Sequence, residues 1–400
     1  MAGYIPTPIA TDAYSRFMAE MYDDRSLIAV PTGFQQFFVG GKVLYSTDAN
    51  DVDIDIIRGT ELTAALVPRG TVSRPLGNTQ RNAKVQRYST FSRSFPLIEE
   101  ESDIDANQLL NRLAGENQYN GVDRMSRLRS HALDLHQEHV RRIVRLQEIL
   151  AAQAIQTGQH VAILGTTDTD LIYDFRRAAG NTIVATGVWT AGAATILADI
   201  DRAWNAVNTS GHVGIDMMIT GASVTPGVLG NTQILALADN MRVNFLQFSP
   251  NYPVPQRFQK FVDGGMTPLG SITSLNGHTV YWFTYEATYT NSAGVTTPYM
   301  PLTETLFAYS GARCDRYMGP PERLPVTASE RAWYQEMFGF AMDGGPMPQN
   351  VKGSGAVLPG AYYFDAYPAS DRKRVTLRSQ AAPIMAPVQT DAFCRMTGCA

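Results

Sequence analysis

The chain has 400 residues, 44% of them apolar and 18% charged, which excludes general disorder and leaves room for more than one compact unit. Its formal net charge of −4 excludes a uniformly basic nucleic-acid binder, so charge has to be read locally. Three cysteines, Cys314, Cys394 and Cys399, exclude a disulfide-built scaffold and are expected to be free thiols. No run of 18 apolar residues occurs, and the opening residues have neither a basic nor an apolar signal region. The default expectation is a soluble cytoplasmic protein. Only five of the 33 basic residues are lysine. The arginine excess suits fixed contacts between subunits, and a GC-rich coding sequence produces the same bias.

Residues 1–33 read as an arm. Tyr14, Phe17, Met18, Met21 and Tyr22 form one apolar stripe on a short helix that is unstable unless docked. Residues 34–57 read as strands, with Val52, Ile54 and Ile56 alternating with Asp51, Asp53 and Asp55. The Asp-x-Asp-x-Asp string lacks the glycine and glutamate positions of a calcium loop. Residues 58–96 read as a long hairpin with its tip near Pro68–Asn78 and too little apolar surface to hold itself together. Arg58, Arg69, Arg74, Arg81, Lys84, Arg87 and Arg93 stand there against one acid, Glu61, for a local charge of +6. The 57 residues before it carry −5, and Glu99, Glu100, Glu101, Asp103 and Asp105 follow it. Either the hairpin is a solvated loop with incidental charge, or it reaches across a second copy and meets that copy's acidic surface.

A helix is predicted to start over 103–118, with Asp105 and Gln108 resembling a capping box. The longest helix is predicted over 122–157. Leu128, Ala132, Leu135, His139, Ile143, Leu146, Leu150 and Ala154 recur at spacings of three and four, and Gly158 is placed to end it. About 36 residues at ~1.5 Å rise make a rod of roughly 50 Å. Arg124, Arg127, Arg129, Arg141, Arg142 and Arg145 stud its other faces. Further on, short strands are predicted at 161–164, 171–175, 182–185, 213–220 and 306–309, and helices at 194–207 and 233–240. Residues 270–285 read as a hairpin turning at Asn276-Gly277, with a second tight turn at 291–294. Residues 314–360 read as largely irregular, and 374–378 as a strand.

Signatures of catalysis are scarce. His136-Gln-Glu-His139 is one residue short of either zinc-protease pattern and reads as a structural pair on a helix. No Gly-x-Ser-x-Gly elbow, P-loop, Gly-x-Gly-x-x-Gly fingerprint or Cys-x-x-Cys pair occurs. No cofactor and no enzymatic activity are expected. A metal-dependent hydrolase using His136, His139 and Asp134 stands as the alternative from another functional class.

The order of parts resembles the major capsid protein of tailed phages, the Hong-Kong-97-type shell fold, and more narrowly the lambda-type major head protein family. The resemblance rests on Phe34–Gly59 leading into the hairpin, on Phe95-Pro-Leu-Ile-Glu-Glu-Glu-Ser-Asp-Ile-Asp-Ala-Asn-Gln-Leu109, and on Ile172-Tyr-Asp-Phe-Arg176. Leu275-Asn-Gly-His-Thr-Val-Tyr-Trp-Phe283 and the tail Leu377–Phe393 extend it. It implies an α+β fold with an N-terminal arm (1–33), peripheral-domain strands (34–60) and an extended loop (61–95). A peripheral domain with a spine helix (96–193), an α/β axial domain (194–358) and a return to the peripheral domain (359–400) follow. It implies many copies tiling as hexamers and pentamers into an icosahedral shell around packaged double-stranded DNA, bound without sequence specificity, with separate scaffolding, portal and decoration proteins. The place implied is the virion, after assembly in the host cytoplasm. On this reading Arg69, Arg74, Arg81, Lys84, Arg87 and Arg93 meet Asp51, Asp53 and Asp55 or Glu99, Glu100 and Glu101 of an adjacent copy, and Arg124, Arg127, Arg141 and Arg145 face the DNA. Lys84 is the sole lysine of the loop, and non-covalent clamping by arginine is expected rather than a crosslink. An encapsulin-like compartment, and a phage tail or decoration component, are the neighbouring alternatives.

Overall fold

The computed structural model describes residues 30–45, 51–58, 87–105, 124–162, 171–189, 191, 194–239, 246–248, 254–291, 294–319, 363–368 and 374–400. The predicted helix at 14–22, the hairpin tip and residues 320–362 lie outside them. The chain divides into two compact units. One holds Phe95–Leu146 and Met318–Pro383 together with Met1–Val30; the other holds Pro31–Ser94, Gln147–Tyr317 and Ile384–Ala400.

The larger unit is organised by a seven-stranded mixed sheet. Its order is β7 (Thr182–Val184), β19 (Phe393–Thr397), β14 (Thr305–Ala308), β8 (Met217–Thr220), β11 (Thr279–Thr284), β10 (Thr267–Thr273) and β9 (Leu246–Phe248). β8 runs parallel to β11, β19 parallel to β7, and the other pairs are antiparallel. Met217–Thr220 and Thr305–Ala308 are buried at every position, the pattern of strands with no solvated face. Helix α2 (Ile196–Gly211) supplies Ile196, Ile200, Ala203 and Val207 to the core at the spacing of one helical face. Met218, Trp282, Phe307 and Met396 meet that core from the strands. Helices α3 (Val224–Gly230), α4 (Thr232–Asp239) and α5 (Gln256–Asp263) complete the unit. Among these, α3 and α5 escape the sequence reading. The first contains Pro226 and two glycines, and the second is a single amphipathic stretch of eight residues after Pro255, too short for periodicity to register.

Three small sheets share this unit. They are β1 (Val43–Tyr45) with β15 (Cys314–Met318) and β18 (Pro383–Pro387), the pair β12 (Thr288–Thr290) and β13 (Thr296–Pro298), and the pair β5 (Gln159–Ala162) and β6 (Leu171–Asp174). At the β10–β11 turn Gly277 has φ +84, which explains Asn-Gly there. Two expectations need correction. Residues 34–57 are not strands throughout, since Gln35–Phe38 is a 3-10 turn whose Phe37 and Phe38 are buried. Residues 314–318 are not irregular; they form a fully buried strand, which Gly41 approaches so closely that a Cβ there would overlap the Cys314 carbonyl.

The smaller unit is built on a three-stranded antiparallel sheet, β16 (Tyr363–Pro368), β17 (Arg374–Ala381) and β4 (Ile98–Asp105). Of the helix expected over 103–118, residues 106–118 lie outside the described residues. Asp103–Asp105 complete β4, because β17 offers a full ladder from Ile98↔Ala381 to Asp105↔Arg374. β16 and β17 join this sheet, while β19 enters the seven-stranded sheet.

The long helix α1 spans Arg124–Thr157, in close agreement with the expected 122–157. It ends where expected. Gly158 takes φ +72 and its N–H reaches the Ala154 carbonyl at 3.0 Å. Arg177 reinforces that end, donating from one guanidinium nitrogen to the Ile155 carbonyl at 3.1 Å and from another to Thr182 Oγ1 at 2.9 Å. Burial lowers its pKa to about 10, still well above neutrality. Arg177→Ala is expected to cost about 1–3 kcal/mol by leaving that carbonyl unmet, read as a lowered thermal midpoint.

Candidate functional site

The base of the cationic hairpin is a ladder of β2 (Asp51–Arg58) with β3 (Arg87–Ser94), in register from Asp51↔Ser94 to Arg58↔Arg87. Period two sorts the positions. Asp51, Asp53 and Asp55 share a face with Ser94, Ser92 and Thr90. Val52, Ile54 and Ile56 share the other with Arg93, Phe91 and Ser89. Ile54 and Ile56 are fully buried, so the apolar half of the alternation serves the core as the sequence suggests. Arg87 and Arg93 belong to this ladder. Arg69, Arg74, Arg81 and Lys84 lie outside the described residues.

The second acidic candidate divides in two. On β4, Glu99, Glu101, Asp103 and Asp105 are exposed, whereas Glu100, Ser102 and Ile104 turn the other way. The exposed row is answered from β17. Arg378 lies 3.2 Å from Glu99, Gln380 donates to Glu99 at 2.8 Å, Arg374 lies 3.4 Å from Asp103, and Thr376 donates to Asp103 at 2.5 Å. These acids form the exposed face of the strand at the edge of its sheet among the described residues. Sequence reasoning missed Arg374 and Arg378 as partners, because the pairing that brings them to β4 spans more than 270 residues. The alternation of acids over 99–105 was the available signal for the face.

Glu100 points toward α1 instead. Arg142 contacts Glu100 at 3.2 Å and Glu138 at 3.3 Å, and Arg141 and Arg145 also approach Glu138, at 3.8 and 3.9 Å. Three arginines around one glutamate leave this stretch of the helix positive. Arg124 and Arg127 belong to the first turn of the same helix.

The histidine pair has a structural setting within the smaller unit. Ser102 Oγ lies 2.7 Å from His139 Nε2, and Ser379 Oγ lies 3.1 Å from His139 Nδ1 and 2.9 Å from His136 Nδ1. Ser379 has one hydroxyl proton, so at least one of the two Nδ1 atoms donates. Asp134 is exposed, and among the described residues no group of His, Cys, Asp and Glu is placed to hold a metal. Burial, with His139 nearby, lowers the pKa of His136 to about 3, and burial first of all lowers that of His139. The unfolded chain takes up these protons near 6.5 while the folded chain refuses them, so stability falls as pH drops below that value. The expected slope from His136 is about 1.4 kcal/mol per pH unit below that value, and His139 adds to it in the same direction. Thermal melts between pH 4 and 7 check it, and His136→Gln is expected to reduce the slope.

The three cysteines are buried free thiols, and burial pushes Cys394 and Cys399 up to about 12. They are unreactive at neutral pH. No helix among the described residues is long and apolar enough to cross a membrane.

The fold is that of the Hong-Kong-97-type capsid proteins. A prophage protein of E. coli CFT073, assigned as a capsid protein, superposes with a TM-score of 0.59 at 14% identity, covering 96% of this chain and 97% of its own. A chain of Mycobacterium phage Patience (TM-score 0.43, 9% identity, 97% and 88% coverage) and one of the mature capsid of bacteriophage PhiM1 (0.37, 10%, 90% and 86%) are also similar. No curated protein matches the sequence. Residues 30–398 match the family described as phage major capsid protein E, and the chain belongs to that family. It is a phage major capsid protein, a structural component of the virion shell.

Proposed function

We propose that the subunit closes its shell through opposite charges on the 58–93 segment and on the exposed face of β4. The alternating exposure of Glu99, Glu101, Asp103 and Asp105 carries this reading. It offers the +6 segment of an adjacent copy a row of exposed carboxylates. Glu100, bonded to Arg142 of its own chain, is a weaker candidate, and the Asp51–Asp55 row is a second acceptor on the same principle. Exposed ion pairs are weak singly, about 0.2–1 kcal/mol, and add up because every copy both gives and receives them. Hexamers and pentamers of such copies build the shell in the host cytoplasm, with scaffolding, portal and decoration proteins as separate chains. The arginines around Glu138, with Arg124 and Arg127, line the packaged double-stranded DNA without reading bases.

The test uses a carbodiimide, which joins an amine to a carboxylate in direct contact, on particles assembled from mixed light- and heavy-isotope subunits. Lys84 is the only lysine of the segment. Mixed-isotope crosslinks from Lys84 to Glu99, Glu101, Asp103 or Asp105 are expected. Crosslinks of Lys84 found only within one isotope class overturn the reading.

A further inference from the structure

Glu148 is fully buried and serves none of the surfaces above. It lies on α1 in the larger unit and faces the amides of an early segment of that unit. Phe34 N–H donates to its Oε1 at 2.7 Å, and Gln35 N–H donates to Oε2 at 3.0 Å. The Tyr285 hydroxyl, just past the end of β11, lies 2.9 Å from Oε1 and itself accepts the Gly33 N–H at 3.3 Å. Three successive amides are thus held by one carboxyl and one phenol. Phe34 caps the Gln35–Phe38 turn without a side-chain bond of its own, and Glu148 supplies that cap from 114 residues away.

Among the described residues the surroundings of Glu148 hold no counter-charge. Gly33–Gln35 bring backbone amides and the Gln35 amide side chain. The chain after β11 brings Tyr285, with the Tyr299 ring stacked 6.0 Å behind it. The preceding turns of α1 carry Arg141 and Arg145, both directed at Glu138. No Lys or Arg pairs with Glu148 among the described residues. An ionised carboxyl here has amide dipoles and a phenol but no cation, a costly state in a water-free site. A neutral carboxyl avoids that cost and still accepts both amides and the Tyr285 hydroxyl. Burial accordingly raises the Glu148 pKa to about 7.

We propose that Glu148 is a proton-operated clamp on residues 31–38, shut while its carboxyl is neutral and released as it ionises. Linkage sets the direction. With the segment lifted, Glu148 is solvated and titrates near its ordinary 4.5; with the segment down, it keeps its proton to about 7. Opening therefore becomes easier by roughly tenfold per pH unit between those values and levels off above them. The clamp makes the freedom of the segment that follows the N-terminal residues depend on pH, independently of the charged contacts between copies.

Amide exchange by mass spectrometry on the full chain tests this between pH 5 and 8, corrected for the intrinsic chemical rate. Peptides covering 30–38 are compared with a reference peptide over β8. Protection of 30–38 is expected to fall roughly tenfold per unit from pH 5 to 7 and to flatten above, with the reference peptide unchanged. Glu148→Gln is expected to abolish that slope. A flat wild-type profile, or an unchanged slope in Glu148→Gln, overturns the proposal. Should Glu148→Gln fail to fold, Tyr285→Phe decides. It is expected to strip protection from Gly33 at every pH and to keep the slope at Phe34 and Gln35. A loss of slope there overturns the clamp. In the wild type, a buried protonated-carboxyl infrared band is expected at pH 5 and gone by pH 8, and its absence at pH 5 equally overturns it.

Discussion

Reversing Arg74, Arg81 and Arg87 to Glu is expected to stop shell formation and to leave a folded subunit. The change converts a segment of charge +6 to one of zero, and each attraction at those three positions becomes a repulsion across the interface. At about 0.2–1 kcal/mol per exposed pair, three reversals remove and invert a few kcal/mol per contact. A shell multiplies that loss over every copy, because no contact closes unless its neighbours do. The fold loses little. Arg87 lies opposite Arg58 in the β2–β3 register, and Arg74 and Arg81 lie outside the described residues. Sedimentation is expected to show small species at all salt concentrations, with the thermal midpoint unchanged within a few degrees. Particles of normal size from the triple mutant show that the charge is incidental. Restoring assembly by also reversing Glu99 and Glu101 to Lys identifies the partner face, and raised salt is expected to weaken wild-type assembly in the same direction.

Asp199→Ala is expected to be the most damaging single change within the larger unit, at about 3–5 kcal/mol. The Asp199 side chain is fully buried on α2 and holds four donors together. Thr186 donates its N–H at 3.2 Å and its hydroxyl at 2.9 Å, Trp189 its indole N–H at 2.9 Å, and Arg202 a guanidinium N–H at 2.8 Å. Truncation leaves the buried Trp189 N–H and the Thr186 N–H without an acceptor, and it leaves Arg202 without its charge partner. Domains rest on roughly 5–15 kcal/mol, so such a loss takes a large share of it. Tryptophan fluorescence during urea unfolding is expected to show a lowered midpoint for Asp199→Ala, and a smaller loss for Asp199→Asn, which keeps one acceptor. Equal midpoints for wild type and Asp199→Ala would show that water replaces the carboxylate without penalty.

What could be read directly from the sequence is local. The long helix was legible from spacing alone, because a stripe of threes and fours over 34 residues has no competing reading and Gly158 supplies a left-handed stop. The β10–β11 hairpin was legible from Asn276-Gly277, and the inward side of β2 from its alternation with aspartate. The cationic excess of 58–93 is a matter of counting. Tertiary structure alone decided the rest. Asp103–Asp105 finish a strand, because β17, arriving 270 residues later, pairs along their whole length. The same arrival gave Glu99 and Asp103 their arginines. Glu148 reads in the sequence as one more polar position on an amphipathic helix. Its burial against three amides exists only once residues 33–35 and Tyr285 converge on it. Spacing along a chain reports which residues share a face. It carries no information on which distant segment will cover that face, and that covering decides whether a carboxylate there is solvated, paired or made to keep its proton.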